Sequence, residues 1–84
     1  MKFALQQAQI QVLDLRFTNL REVPREIGML HNLRELHLAN NSIMFLPDEI
    51  YQLQNLEYLD ISNNAFIQEF APLYSHLPNC KIEV

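Results

Sequence analysis

Three side chains that could bind a metal ion or transfer a proton recur at a fixed interval along the chain. Asp14, His37 and Asp60 lie 23 residues apart, so a repeating fold would stack them in one column. An imidazole between two carboxylates can ligate a metal or act as a base. The same column can also form a cross-strand ladder, in which the acids favour a protonated imidazole and stabilise the sheet by about 0.2–1 kcal/mol. Because an open sheet lacks the outer groups that orient metal ligands, we favour the ladder.

The column follows from a repeat that runs through most of the 84 residues. Segments that begin at Ile10, Leu33 and Leu56 share the pattern L-x-x-L-x-L-x-x-N-x-L-x-x-L-P-x-x-I-x-x-L. Its first apolar residues lie two apart and predict a short strand, which would pair in parallel with the strand of the next repeat. Pro24 and Pro47 then precede apolar residues three apart, a spacing that predicts one turn of 3₁₀ or α-helix. Each repeat therefore predicts a strand and a helical return arm.

This pattern resembles the leucine-rich-repeat superfamily and, more narrowly, its intracellular L-P-x-x-I subgroup, which includes Ras-associated scaffold proteins. The resemblance covers residues 10–84. It implies an α/β fold, a short right-handed solenoid with a parallel concave sheet and 3₁₀ or short helical convex arms. It also implies partners such as signalling proteins, small GTPases or phosphatases. Asn41 and Asn64 occupy the template asparagine position, and we interpret them as a structural ladder whose amides bond the backbone of adjacent turns.

The two ends depart from the repeat. We divide one domain into an N-terminal capping helix at 1–9, repeats at 10–32 and 33–55, an irregular repeat at 56–79 and a terminal strand at 80–84. Phe70 replaces the template proline in the third repeat, and we expect that arm to be one residue longer. Apolar and charged residues alternate over 80–84, which predicts a strand. Since an open edge strand invites pairing, we expect a protein partner or a second copy to cover this edge.

The outward strand positions supply the predicted partner-binding surface, because solenoids bind through their concave face. Tyr58 is the best candidate for a contact at its centre, since exposed aromatic residues are frequent in binding hot spots. Phe17 either joins this surface or packs beneath the capping helix. The predicted partner-binding residues are Arg16, Arg34, Glu35, His37, Glu57, Tyr58 and Asp60.

Composition argues against several other functions. The net charge is −4 and the six basic residues are scattered, which disfavours direct contact with nucleic acid. Gly28 is the only glycine, so glycine-rich phosphate loops are excluded. A single cysteine, Cys80, permits no intrachain disulfide, and no apolar run is long enough to cross a membrane. We therefore expect a cytoplasmic or nuclear protein with no catalytic residue, metal or cofactor.

Two functional hypotheses remain. The first is an adaptor or scaffold that binds a protein partner through the concave face. The alternative is a small structural subunit held within a larger assembly such as a ribonucleoprotein, since so short a solenoid exposes both of its ends. An enzyme is a distant third, because the residues needed for a nucleophile or a metal site are missing.

Overall fold

Four short parallel strands form one sheet in the computed structural model, which describes residues 9–84. Their order in the sheet is their order in the chain, and the register keeps a 23-residue interval throughout, with Leu13, Leu36, Leu59 and Ile82 side by side. The strands are β1 (Val12–Asp14), β2 (Glu35–His37), β3 (Tyr58–Asp60) and β4 (Lys81–Glu83). This arrangement confirms the predicted short solenoid with a parallel sheet. β4 lies within the terminal strand predicted at 80–84. The predicted capping helix falls on residues outside those described, apart from Gln9, which lies in a turn.

The core is a stack of apolar layers, one layer from each repeat. Strand residues alternate in direction, so Leu36 and Leu59 are fully buried while their neighbours face outwards. Ile43 closes the layer after the second strand and is also fully buried. Within residues 9–84 no polar or charged residue is buried, so burial of apolar surface is the main stabilising contribution to the core.

Two 3₁₀ helices form the convex side, as the apolar spacing predicts. They span Arg25–Met29 and Asp48–Gln52, and each follows a proline whose extended backbone leads into the turn. The α-helix α1 (Ala71–His76) takes their place in the third repeat. An α-helix has 3.6 residues per turn where a 3₁₀ helix has three, so the buried residues there are Leu73 and Leu77, four apart.

The helix of the third arm has six residues where the 3₁₀ helices have five, but the third repeat as a whole is not longer. β4 still follows β3 by 23 residues, and Tyr58 pairs with Lys81. The α-helical turn takes one residue more between its buried positions, and the connection from Leu77 to β4 is one residue shorter than the corresponding connection in the earlier repeats. The sheet register is therefore preserved although the arm changes its helix type.

Gly28 allows the first two arms to lie close together. A methyl group at this position would lie 2.7 Å from Oε1 of Gln52 and 2.9 Å from the carbonyl oxygen of Glu49. The equivalent residue of the second arm is Tyr51, whose ring stacks on His76 with centroids 4.1 Å apart. The first arm therefore contacts the second by close approach at Gly28, and the second contacts the third by ring stacking at Tyr51. No helix within the described range is long and apolar enough to span a membrane.

The side chains of Asn41 and Asn64 connect successive turns. The Asn41 amide nitrogen donates to the carbonyl oxygens of Leu15 and Leu38 at 2.9 and 3.0 Å. Its oxygen accepts from the backbone nitrogen of Leu20 at 3.0 Å. Asn64 repeats this pattern one turn later, with 2.9 Å to the carbonyl oxygen of Leu38. Each asparagine thus supplies hydrogen bonds to backbone groups that the sharp turn after a strand leaves without partners.

We predict that Asn41→Ala lowers the free energy of unfolding by about 3 kcal/mol, because several part-buried backbone groups lose their partners together. Asn55→Ala is the matched control, since this exposed amide makes one hydrogen bond, to the carbonyl oxygen of His31 at 2.8 Å. The control loses less than about 1 kcal/mol. Urea unfolding followed by circular dichroism measures both. Equal losses in the two variants would contradict a bridging role for Asn41.

Candidate functional site

The sheet register places the outward side chains in two continuous columns. Each column takes one residue from every strand, and neighbouring members lie about 4.8 Å apart. The columns are Val12–Glu35–Tyr58–Lys81 and Asp14–His37–Asp60–Glu83. Of the predicted partner-binding residues, the structure thus brings Glu35, His37, Tyr58 and Asp60 together at the middle of the concave face.

The acidic column does not form the ladder that its spacing predicts. His37 Nε2 lies 3.1 Å from Oε1 of Glu35, two residues away on the same strand. Asp14 bonds instead to Arg16, and Asp60 bonds to Ser62. Across residues 9–84 no group of three or more histidine, cysteine, aspartate or glutamate residues is arranged to hold a metal ion. These hydrogen bonds therefore join residues two apart along the chain, and none of them joins two members of the column.

Asp14 and Asp60 close the turns at the ends of their strands. Oδ1 of Asp14 accepts from the backbone nitrogen of Arg16 at 3.1 Å, and Oδ1 of Asp60 accepts from that of Ser62 at 3.0 Å. An aspartate that bonds the backbone two residues ahead is a common turn-forming arrangement. Sequence spacing suggested only charge at these positions, whereas the structure gives both aspartates a role in the backbone turn.

Arg16 is not a free cationic anchor. Its Nε and terminal nitrogen donate to the two carboxylate oxygens of Asp14 at 2.9 and 2.7 Å. These hydrogen bonds hold the pKa of Asp14 well below its usual range. The other predicted cation, Arg34, lies 3.8 Å from Glu57, and both side chains are exposed. An exposed pair of this kind stabilises the fold little, so these two side chains can separate when a partner binds.

Tyr58 occupies a different environment, among carboxylates. Its ring is half-buried and lies 5.3 Å from the His37 ring at a tilt of 51°. Partial burial raises the pKa of the Tyr58 phenol, and the negative charges of Asp60, Glu83 and Glu35 raise it further. Asp60 accepts its hydrogen bonds from Ser62 and, among the described residues, forms no ion pair. An aromatic surface thus lies beside a carboxylate that has no ion pair among the described residues, although Arg16 attracts it at longer range.

Phe17 lies at the end of the concave face and is 76% exposed. Its φ angle is +56°, in the left-handed region that Asn40 and Asn63 occupy at the equivalent positions of the next two repeats. Asparagine tolerates this region, whereas a phenylalanine there is unusual. In the sequence, this unusual backbone is indicated only by the repeat alignment, which places a phenylalanine where the other repeats have asparagine.

The remaining features of the surface lie away from Tyr58. An open depression of about 680 Å³ is lined by residues of the first repeat: Thr18, Asn19, Leu20, Arg21, Glu22 and Pro24. Burial raises the pKa of the Cys80 thiol to about 11, so at neutral pH it is protonated and unreactive. Lys81 and Glu83 extend the two columns, but the predicted partner-binding residues do not include them, although a strand was predicted there. The 23-residue interval identifies both, since Lys81 follows Tyr58 and Glu83 follows Asp60 at that distance in the sequence.

We predict that Phe17→Asn raises the free energy of unfolding by about 1 kcal/mol, since a left-handed backbone costs an ordinary residue roughly 1–2 kcal/mol. The reciprocal variant Asn63→Phe should lose a similar amount of stability, because residue 63 is also exposed and has a similar φ of +53°. Chemical denaturation of both variants tests the pair. A less stable Phe17→Asn would mean instead that the ring makes a contact that holds the first repeat together.

The Asp14–Arg16 pair predicts a pH dependence. Because the pKa of Asp14 is lower in the folded chain, its ionised form stabilises the fold above the unfolded value of about 3.9. That stabilisation is lost as the pH falls through the lower folded pKa. Carboxyl-carbon NMR titration should show Asp14 titrating at higher pH in Arg16→Gln and unchanged in Arg34→Gln. An unshifted Asp14 in the wild-type protein would contradict the ion pair.

Comparison with known proteins agrees with this geometry. A family model described as leucine rich repeat matches residues 8–66, and a second leucine-rich-repeat model matches residues 55–80. A solved leucine-rich-repeat protein of Leptospira interrogans is 37% identical, with a TM-score of 0.88 over 95% of this chain. The match covers 21% of that protein, so the chain spans about a fifth of its length. No curated protein matches the chain in sequence. The 23-residue register, the asparagine bridges and the family match together show that the chain belongs to the leucine-rich-repeat family.

Proposed function

We propose that the chain is a protein-interaction module that acts as an adaptor or scaffold and binds its partner through the concave face around Tyr58. One observation carries the proposal: a half-buried tyrosine ring lies on an open sheet, against His37 and beside the unpaired charge of Asp60. Tyrosine is enriched in binding hot spots because its ring offers a large, rigid contact area. Membership of the leucine-rich-repeat family supports this function, since such domains are generally interaction modules.

The charges around Tyr58 favour a basic partner segment. The cations of the concave face already have acidic neighbours, with Arg16 on Asp14 and Lys81 Nζ 3.5 Å from Glu83. Asp60 has only hydroxyl and backbone donors. A lysine or arginine from the partner could therefore pair with Asp60 while it lies over the Tyr58 ring, a geometry that adds cation–π attraction. Nothing in the described residues favours the alternative of a subunit within a ribonucleoprotein.

Peptide selection from a random displayed library tests this proposal. We expect the selected peptides to be enriched in lysine and arginine, and their binding to weaken by about tenfold in Tyr58→Ala and in Asp60→Asn. Asparagine at residue 60 retains the oxygen that accepts the hydrogen bonds from Ser62, so this variant removes charge and preserves the turn.

Glu26→Gln is the matched control, because it removes an exposed carboxylate on the convex side, in the 3₁₀ helix Arg25–Met29. Its affinity for the selected peptides should change less than about twofold. If the peptides bind Tyr58→Ala and Asp60→Asn as tightly as the wild-type chain, the concave face around Tyr58 is not the binding surface.

A further inference from the structure

An open depression of about 270 Å³ lies on one flank of the solenoid, between the first and second repeats. This flank is formed by the segments that run from each strand to its convex arm. Both repeats are described, and the third repeat packs on the far side of the second, so the depression does not lie at an end of the stack. We call it the flank depression, and the residues that line it include Arg21, Glu22, Pro24, Arg25, Phe45 and Pro47.

The backbone beside the flank depression lacks two hydrogen bonds that join the next pair of repeats. Between the second and third repeats, Ile67 donates its N–H to the Met44 carbonyl at 3.2 Å. Leu46 donates its N–H to Oε1 of Gln68 at 2.5 Å. The corresponding donors one repeat earlier are Met44 and Val23, and neither N–H has an acceptor among the residues that the structure describes. At these two positions the flank is therefore not joined between the first and second repeats.

Phe45 accounts for the unused N–H of Val23. It occupies in the second repeat the position that Gln68 occupies in the third, and its ring has no oxygen that could accept a hydrogen bond. The ring is 57% exposed beside the flank depression. Val23 is buried and also lines the depression. Since an N–H without a partner in a buried residue costs free energy, a ligand that accepts from it would gain a favourable hydrogen bond.

The cations of the flank depression have no acidic neighbour of their own. Arg21 and Arg25 are exposed, and within the described range neither forms an ion pair, whereas each cation of the concave face lies within 3.8 Å of a carboxylate. Glu22 is the one acid that lines the depression, so its walls carry two positive charges against one negative charge. A guanidinium binds a carboxylate through two parallel N–H groups. The two arginines are therefore available to a carboxylate from outside the chain.

We propose that the flank depression binds an acidic segment of a protein partner. An aspartate or glutamate of the segment pairs with Arg21 and Arg25, a neighbouring apolar side chain packs on the Phe45 ring, and the segment supplies the acceptor for the N–H of Val23. The volume suits one or two side chains and is below the range of about 300–1,000 Å³ that is usual for small-molecule sites. One excess positive charge is too little for the phosphate backbone of a nucleic acid.

The flank depression and the surface around Tyr58 favour partner segments of opposite charge. Phe45 lies between a strand and a convex arm, whereas Tyr58 lies on the concave sheet. The concave surface offers the carboxylate of Asp60 to a basic segment, and the flank depression offers two arginines to an acidic one. Binding at one surface does not require the other, so this proposal stands apart from binding at Tyr58.

Peptide selection with a depletion step tests the proposal. A random displayed library is passed over Phe45→Gln, and the peptides that remain unbound are selected on the wild-type chain. Glutamine is the residue that the third repeat carries at this position, so the variant offers an acceptor to Val23 and closes the flank as Gln68 does. If circular dichroism shows that it is unfolded, Arg21→Gln/Arg25→Gln replaces it, since this double variant changes only exposed side chains.

We expect the selected peptides to be enriched in aspartate and glutamate next to aromatic or aliphatic residues. Fluorescence anisotropy of one such peptide should show binding about threefold weaker in each of Arg21→Gln and Arg25→Gln. Arg34→Gln is the matched control, because it removes an exposed arginine from the concave face, and its affinity should change less than about twofold. A library without acidic enrichment, or equal weakening in all three variants, would overturn the proposal, since the latter indicates general attraction between opposite charges.

The backbone N–H of Val23 gives a second readout that does not depend on charge. In amide NMR spectra of the wild-type chain, the same peptide should move the Val23 proton downfield as that N–H gains an acceptor. Tyr58→Ala should show the same shift and bind the peptide within about twofold of the wild-type affinity, which separates this proposal from binding at the concave face. An unmoved Val23 signal together with shifts at β2 and β3 would place the peptide on the concave face and contradict the flank site.

Discussion

The solenoid depends on one repeated interaction, the asparagine side chain that bridges two successive turns. After each strand the chain must bend sharply into the core, which leaves backbone carbonyls and amides without strand partners. Asn41 and Asn64 satisfy these groups within their own turn and in the turn before it. The preceding residues Asn40 and Asn63 adopt the left-handed backbone that makes the bend. In the second and third repeats, two adjacent asparagines therefore build the corner, one through its backbone and one through its side chain.

The corners hold the strands at a constant interval, and that interval produces the binding surface. Every strand contributes one residue to each outward column, so the charge at each place on the concave face depends on the residue that the strand contributes there. Asp14 and Asp60 show that the same residue type at equivalent positions can have different hydrogen-bond donors. Both close a strand-end turn, but Arg16 neutralises the first and only neutral donors contact the second. The aspartate without an ion pair lies beside Tyr58, which is why the surface is asymmetric although the backbone repeats.

The third repeat shows that an arm can change its helix type while the strand interval stays constant. An α-helix replaces the 3₁₀ helix and places its buried residues four apart, and the connection to β4 is one residue shorter. In the same repeat the rings of Phe66 and Phe70 meet edge to face with centroids 5.5 Å apart. Backbone pairing between the strands therefore fixes the interval, and the arm adapts to it.

The sequence by itself determined the repeat, the parallel sheet, the apolar core and the order of residues in each column, because all of these depend on local spacing that recurs every 23 residues. It also indicated the fourth strand. Only the tertiary structure decided which charges pair, since pairs worth tenths of a kcal/mol depend on how the chain turns after each strand. It likewise decided that the third arm is α-helical with an unchanged register, and that Phe17 takes a left-handed backbone. These outcomes depend on the packing of one turn against the next, which residue spacing does not describe.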